Sequence, residues 1–473
     1  MLLECFYHDK LAHASYIVGC QDHGVAIVID PGRHIEQYIE FATRQGLDII
    51  AVTETHIHAD FVSGTKELAL CCNATVYASD EGDCEWKYQY LAQVPYQLIK
   101  DGSEFNIGTI QFQVIHTPGH TPESISFLVI DTKQHNYTNE KPIGIFTGDF
   151  LFVGDVGRPD LLETAVGIPH HARSSAEQLF HSIQKIKTMP AYLQIWPSHR
   201  AGSSCGKSLG AIPSSTIGYE KHFNWAFQTE EQDSFVMNVL SGQPEPPPYF
   251  AQMKQINQSG PPIRNQTLVK KIESFPVFQQ IARTGKQIID TREPTFFASG
   301  HVEGSLNIPY NQSFTTWCGW LIDYNQDLII VIDPLSTDIN KVRRDLEAIG
   351  LDRTIVYVSS NTLKEMGPLE TYEERTVQEM FHHIRSGTYP VIDVRNKAEW
   401  EEGHLPHAKH MMLGHLTEHL HDIPKNCPIV VQCRSGIRSA IAASILRKYG
   451  VKEVINLQGG YLAWLEAKFP ICK

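Results

Sequence analysis

Thr55-His56-Ile57-His58-Ala59-Asp60-Phe61 sets two imidazoles and a carboxylate at alternating positions directly after the apolar run Ile49-Ile50-Ala51-Val52. On a continued strand those three groups would share a face but be strung out along it. If the strand ends near Thr55 and the chain turns, they can converge on one point. Imidazole nitrogen with carboxylate oxygen suits a borderline divalent metal such as zinc or iron. A lone histidine in a polar loop would carry no such meaning. Here the motif has complements in order: His116-Thr117-Pro118-Gly119-His120-Thr121, then Thr147-Gly148-Asp149, then Pro197-Ser198-His199.

A second reactive set lies near the C-terminal end, where Ile429-Val430-Val431-Gln432 runs into Cys433-Arg434-Ser435-Gly436-Ile437-Arg438-Ser439. A strand, a short loop and then a helix form an anion cradle, with backbone N–H groups and the helix N-terminus turned toward the sulfur. Arg434 and Arg438 add positive charge. The pattern predicts a low-pKa Cys433 thiolate able to act as a covalent nucleophile. A weaker thiol candidate is Cys205, in Arg200-Ala201-Gly202-Ser203-Ser204-Cys205-Gly206-Lys207. Its small residues and flanking cations would admit an anion and lower a thiol pKa; the plain alternative is a Gly/Ser loop with a passive cysteine.

The elements that must position these groups alternate along the chain. Val25–Ile29, 110–115 and 142–146 read as strands leading into turns or motifs, and 175–183 has helical periodicity with Ser174 or Ser175 as its N-cap. A helix is expected over 440–449, stopped by Gly450. Pro-dense stretches at 241–248 and 259–262 bracket what reads as an extended linker. The remainder is duplicated. Ile289-Asp290-Thr291-Arg292 answers Ile392-Asp393-Val394-Arg395, and Gly300-His301 answers Gly403-His404, each pair 103 positions apart. In the first copy the strand 328–332 runs into Asp333-Pro334, so a carboxylate stands where the thiol should be.

Length suggests about three domains at roughly 150 residues each. The net charge of −13 without a basic run makes nucleic acid and anionic membranes poor partners. The 42% hydrophobic content is ample for packed cores, yet no apolar run is long enough to span a bilayer. Met1-Leu2-Leu3-Glu4-Cys5-Phe6 lacks the features of a secretory signal, so a cytoplasmic protein is expected. The ten cysteines lack Cys-x-x-Cys spacing and read as free thiols, Cys71 and Cys72 as a buried pair.

The four ordered motifs resemble the metallo-β-lactamase superfamily, and the duplicated half resembles rhodanese domains. The fold expected is α/β multidomain: an αββα sandwich over 1–240, a linker over 241–265, a degenerate rhodanese over 266–365 and an active one over 366–473. In the superfamily a second metal usually needs a histidine where this chain has Phe61, so the site reads as mononuclear. Glu54-Thr55-His56 and Gly157-Arg158 look like the persulfide dioxygenase branch. That resemblance implies one Fe(II) per chain held by His56, His120 and Asp149, a two-His-one-carboxylate set. His58 and Asp60 would stand near it without binding, His199 and Cys205 would support the metal or the substrate from around it, and Arg158 would be the cation beside the substrate. The implied activity is oxidation of a low-molecular-weight or protein persulfide by O2 to sulfite, with Cys433 passing a second sulfane sulfur to sulfite to give thiosulfate, in a homo-oligomer. The alternative is a hydroxyacylglutathione-type thioester hydrolase fused to a thiosulfate sulfurtransferase.

Overall fold

The computed structural model describes residues 1–132, 141–164, 171–264, 269–353, 355–363, 365 and 368–473. Two compact units divide the chain: Met1–Asn265 with Glu347–Gly350, and Gln266–Leu346 with Leu351–Lys473.

The first unit holds two six-stranded sheets. One runs in chain order through Leu2–His8, His13–Cys20, Val25–Ile29, Asp48–Thr53, Thr75–Ser79 and Tyr96–Ile99. The other comprises Glu104–Ile107, Ile110–His116, Ile125–Asp131, Gly144–Gly148, Gln194–Pro197 and Ser215–Thr216. Period-two alternation sorts their side chains. Tyr16, Val18, Ile27 and Ile29 join Phe112, Val114, Phe127 and Phe146 in one core cluster. The residues between them face the other way. Ile17, Ala26 and Val28 pack with Tyr38, Ala42 and Leu68 of the helices Glu36–Arg44 and Thr65–Cys72. Ile115, Leu128 and Ile145 pack with Leu179 and Ile183 of Ala172–Lys187 and Phe235 of Gln232–Leu240. The expected αββα sandwich is present.

Three local expectations change. The helix foreseen over 175–183 starts earlier, at Ala172, and its N-cap is His171 rather than a serine; the Ser174 hydroxyl donates back to the His171 carbonyl. The stretch 241–265 is not an extended linker throughout. Tyr249–Ser259 is a helix of the first unit that buries Phe250, Met253 and Asn257. Cys71 is exposed, not buried. The expected boundaries at 265/266 and 365/366 involve positions outside the described residues.

The second unit repeats one architecture. Two five-stranded parallel sheets share a strand order: Lys270–Ile272, Ile355–Ser359, Leu328–Ile332, Gln287–Asp290, Leu306–Asn307, matched by Glu373–Arg375, Val454–Leu457, Ile429–Gln432, Val391–Asp393, Ala408–His410. The sequence repeat has a physical reason. Arg292 binds Asp290 and donates to the Gly300 carbonyl at 2.8 Å, while Arg395 binds Asp393 and donates to the Gly403 carbonyl at 2.8 Å. Both aspartates are fully buried. Losing one partner of such a pair costs about 3–5 kcal/mol, which keeps the motif whole in both copies.

Candidate metal centre and thiol loop

The four motifs converge because each follows the C-terminal end of a strand. His56, His58 and Asp60 lie in the loop after Asp48–Thr53, and His120 in the loop after Ile110–His116. Asp149 directly follows Gly144–Gly148, and His199 comes two residues after Gln194–Pro197. Nε2 of His56 is 3.8 Å and Nε2 of His120 is 3.6 Å from Oδ2 of Asp149. All three residues are buried, and one ligand atom of each lies within 4.8 Å of the others. The other atoms of these groups are spoken for. His56 Nδ1 is 3.1 Å from the Thr55 hydroxyl, His120 Nδ1 is 3.0 Å from the Arg158 carbonyl oxygen, and Asp149 Oδ1 is 2.7 Å from His199 Nδ1. That leaves both Nε2 atoms and Oδ2 turned toward one point, and Oδ2 accepts no hydrogen bond among the described residues. A buried, unsatisfied carboxylate oxygen facing two imidazole nitrogens fits a metal ion.

Electrostatics agree with the donor set. Burial, with His58 adding to it, holds the His56 imidazole well below its usual pKa, and burial lowers His120 as well, which favours the uncharged form that can donate to a metal. Burial alone would raise Asp149, but His199, followed by His56 and His120, outweighs it and holds the carboxyl well below the ordinary range. His199, whose Nε2 lies 2.8 Å from Asp60 Oδ2, is pushed well above its usual value: the two carboxylates overcome burial. His58 stands beside this set, its Nε2 3.0 Å from Asp30 Oδ1 and its ring 4.1 Å from that of His56.

Gly157 is required here. A Cβ on it would fall 1.8 Å from the Asp149 carbonyl oxygen, so any side chain would displace that ligand. Phe61 takes no part as a donor; its ring centroid lies 4.0 Å from His13 and 4.5 Å from His58.

One expectation is corrected at this site, and one open alternative is decided. Arg158, expected beside the substrate, has its guanidinium committed to partners within the protein. Nε and Nη2 bind Asp160 at 2.8 and 2.6 Å, Nη1 donates to the Pro244 carbonyl at 2.6 Å, and its part in the centre is the carbonyl on His120. Cys205 is not an activated thiol. It is 3% exposed, and burial, reinforced by Asp149 and Asp60, pushes its pKa well above the usual value. Its flanking cations face elsewhere, Arg200 over the Tyr7 ring and Lys207 over Trp225. Cys205 instead joins Asp60 and His199 in a second buried group of three metal-ligating side chains.

Asp30 went unseen in the sequence, where Asp30-Pro31-Gly32 reads as a turn. It has φ +50° and accepts from Thr55 N at 2.7 Å and from the Ser198 hydroxyl at 2.5 Å, tying two of the motif loops together. Glu123 accepts from Ile57 N at 2.8 Å. Its only sequence signal was proximity to His120.

In the second unit, Cys433 directly follows the strand Ile429–Gln432 and is 1% exposed. Gly436, at φ +96°, directs its N–H to Sγ at 3.1 Å, and the Ser439 hydroxyl lies 3.5 Å away. The helix runs Ile437–Lys448, three residues ahead of the expected start, so its N-terminus abuts the loop. Tyr461 N and Leu462 N hold the carbonyls of Cys433 and Arg434 at 2.8 and 2.9 Å. Arg434 is exposed, as an anion-steering cation should be. Arg438 is engaged: both terminal nitrogens bind the two Glu399 oxygens, at 2.6 and 2.7 Å. That pairing was invisible in the sequence.

In the first copy the Asp333 side chain accepts from Leu335 N at 3.1 Å, and its carbonyl accepts from Ser336 N and Thr337 N. The carboxylate folds onto the loop that would otherwise receive an anion. Asp333→Ala is therefore expected to leave thiosulfate-to-cyanide sulfur transfer at the wild-type rate. A loss as large as that of Cys433→Ser would show that the roles of the two copies are misassigned.

Comparisons with known proteins agree with this architecture. The metallo-beta-lactamase superfamily model matches residues 8–134, and the rhodanese-like domain model matches 276–361 and 376–467. The crystal structure of a metallo-beta-lactamase from Staphylococcus aureus subsp. aureus COL is 42% identical, with a TM-score of 0.69, and the match covers 76% of this chain and 99% of that one. A probable polyketide biosynthesis zinc-dependent hydrolase, BaeB, of Bacillus velezensis is 27% identical over 49% of this chain and 88% of its own length. A hydroxyacylglutathione hydrolase of Francisella tularensis subsp. novicida is 31% identical over 41% of this chain and 65% of its own. No helix among the described residues is long and apolar enough to cross a membrane. With a His/Asp cluster that fits a metal on an αββα sandwich and two rhodanese-like domains following in the sequence, this chain belongs to the metallo-β-lactamase superfamily.

Proposed function

We propose that the protein is a non-haem iron persulfide dioxygenase coupled to a sulfurtransferase. The observation that carries this reading is the buried set of His56 Nε2, His120 Nε2 and Asp149 Oδ2, with Phe61 rather than a histidine beside Asp60. Two imidazoles and one carboxylate with open positions is the donor set of non-haem Fe(II) oxygenases. In the overall reaction a thiol persulfide, O2 and water become the thiol and sulfite; the outer sulfur is oxidised and O2 is reduced. Iron(II) held by these residues would supply the activation of O2. The chain's own residues do the rest. Thr55 and the Arg158 carbonyl fix the two rings with Nε2 inward, His199 keeps Asp149 ionised, and burial limits water.

Cys433 acts second. Its thiolate attacks the outer sulfur of another persulfide, forming a Sγ–S bond while the donor's S–S bond breaks and the donor leaves as its thiol. Sulfite then attacks that outer sulfur. The S–S bond of thiosulfate forms, the Sγ–S bond breaks, and Sγ leaves as a thiolate that accepts from Gly436 N–H and the Ser439 hydroxyl. Exposed Arg434 draws the anions in.

A second reading is a thioester hydrolase. The names of the two relatives, a zinc-dependent hydrolase and a hydroxyacylglutathione hydrolase, favour hydrolysis, as does the Asp60–His199–Cys205 group, which could serve a second ion. Elemental analysis joined to O2 uptake on adding a persulfide separates the two. About one iron per chain with persulfide-dependent uptake is expected for a mononuclear facial set. Two tightly bound zinc ions with thioester cleavage and no uptake would overturn the dioxygenase.

A further inference from the structure

The loop between the strand Asp48–Thr53 and the helix Thr65–Cys72 carries His56, His58 and Asp60, and it is neither strand nor helix. His58, Asp60, Phe61 and Ser63 are at most 5% exposed, so their backbone polar groups need partners that the loop itself does not supply. One helix supplies several of them. Asn257 donates through Nδ2 to the carbonyls of His58 and Phe61, both at 2.7 Å, and its Oδ1 accepts from Ser63 N at 2.9 Å. Tyr249, two turns earlier on the same helix, donates its hydroxyl to the Asp60 carbonyl at 3.2 Å. The helix is anchored in turn through Gln258, which donates to the carbonyls of Glu85 and Lys87 and accepts from Gln89 N.

Resting on the metal-centre reading above, we propose that Asn257, supported by Tyr249, is a positioning residue for the metal centre, fixing the shape of the loop that presents His56 from outside the sandwich. Asn257 directs its hydrogen bonds to backbone groups and not to a candidate ligand side chain. It acts on the backbone between His58 and Ser63, so its effect falls on how firmly the ion is kept. Partners that orient metal ligands typically contribute 10- to 100-fold in affinity.

The test uses the full-length, iron-loaded protein and follows transfer of iron to a ferrous chelator. Asn257→Asp is the sharpest variant. It keeps the size and the acceptor for Ser63 N but loses both donors and sets a carboxylate against two carbonyl oxygens. Iron release about 10- to 100-fold faster than wild type is expected, with a smaller acceleration in Tyr249→Phe. Thiosulfate-to-cyanide transfer at Cys433 should be unchanged in both. Release at the wild-type rate from Asn257→Asp would reduce the residue to space filling and overturn the proposal. So would an equal fall in sulfur transfer, which would mark a general folding defect. If the Asn257 variants do not fold, wild-type release from Tyr249→Phe overturns it instead. Wild-type iron retention by His120→Ala would sink the metal-centre reading itself, whatever Asn257 does.

Discussion

His120→Ala is expected to abolish persulfide-dependent O2 consumption while leaving sulfur transfer from thiosulfate to cyanide near the wild-type rate. His120 contributes one of the three donors that converge among the described residues, and Asp149 Oδ2 would be left facing a single imidazole. Loss of a partner that merely orients a ligand costs 10- to 100-fold, so loss of the ligand itself should cost more than about 100-fold. Sulfur transfer should survive because Cys433 and the groups that contact it all belong to the second unit. An oxygen electrode, elemental analysis and a thiocyanate assay on one preparation suffice. Full O2 uptake with iron still bound would move the oxidation to another site.

The second large effect concerns the product. Wild type supplied with persulfide and O2 should release mainly thiosulfate. Cys433→Ser should consume O2 at a comparable rate and accumulate sulfite, because serine nearly keeps the volume but cannot carry sulfane sulfur. Removing a covalent nucleophile costs several orders of magnitude in the step it serves. Thiol-reactive labelling and chromatography of the products would read the outcome. Thiosulfate at the wild-type rate from Cys433→Ser would mean that sulfur travels by another thiol. Loss of O2 uptake in that variant would instead make the Cys433 thiol the supplier of substrate to the iron, reversing the proposed order.

The placement of these groups was legible to different depths. His56, His120 and Asp149 could be singled out because each stands in a short motif next to an apolar strand, and strand ends in an αββα sandwich bring such motifs together. The Asp-x-Arg and Gly-His repeats could be read as one structure twice over, and the shared contact from arginine to the glycine carbonyl explains why. The helix Tyr249–Ser259 could not. Prolines flank it, no side chain caps its N-terminus, and its value lies in hydrogen bonds to residues about 190 positions upstream. The charged residues misled for a related reason. Arg158 and Arg438 looked like free cations in the sequence, yet Asp160 and Glu399 bind them. For Cys205 the sequence left an activated and a passive reading open; Arg200 and Lys207 face other rings and burial raises its pKa, which decides for the passive one.

By itself the sequence determined the donor types, their order along the chain, the mismatch of Phe61 and Asp333 with their motifs, and the duplicated second half. These are properties of side-chain chemistry and of local periodicity, which need no partner to be read. Only the tertiary structure decided which donor atoms converge, which cations are neutralised, that Cys205 joins Asp60 and His199, and that Asn257 holds the metal loop. Those depend on contacts between residues far apart in the chain. The strength of a charge or a hydrogen bond is set by what stands within a few ångströms of it and by how much water is excluded there.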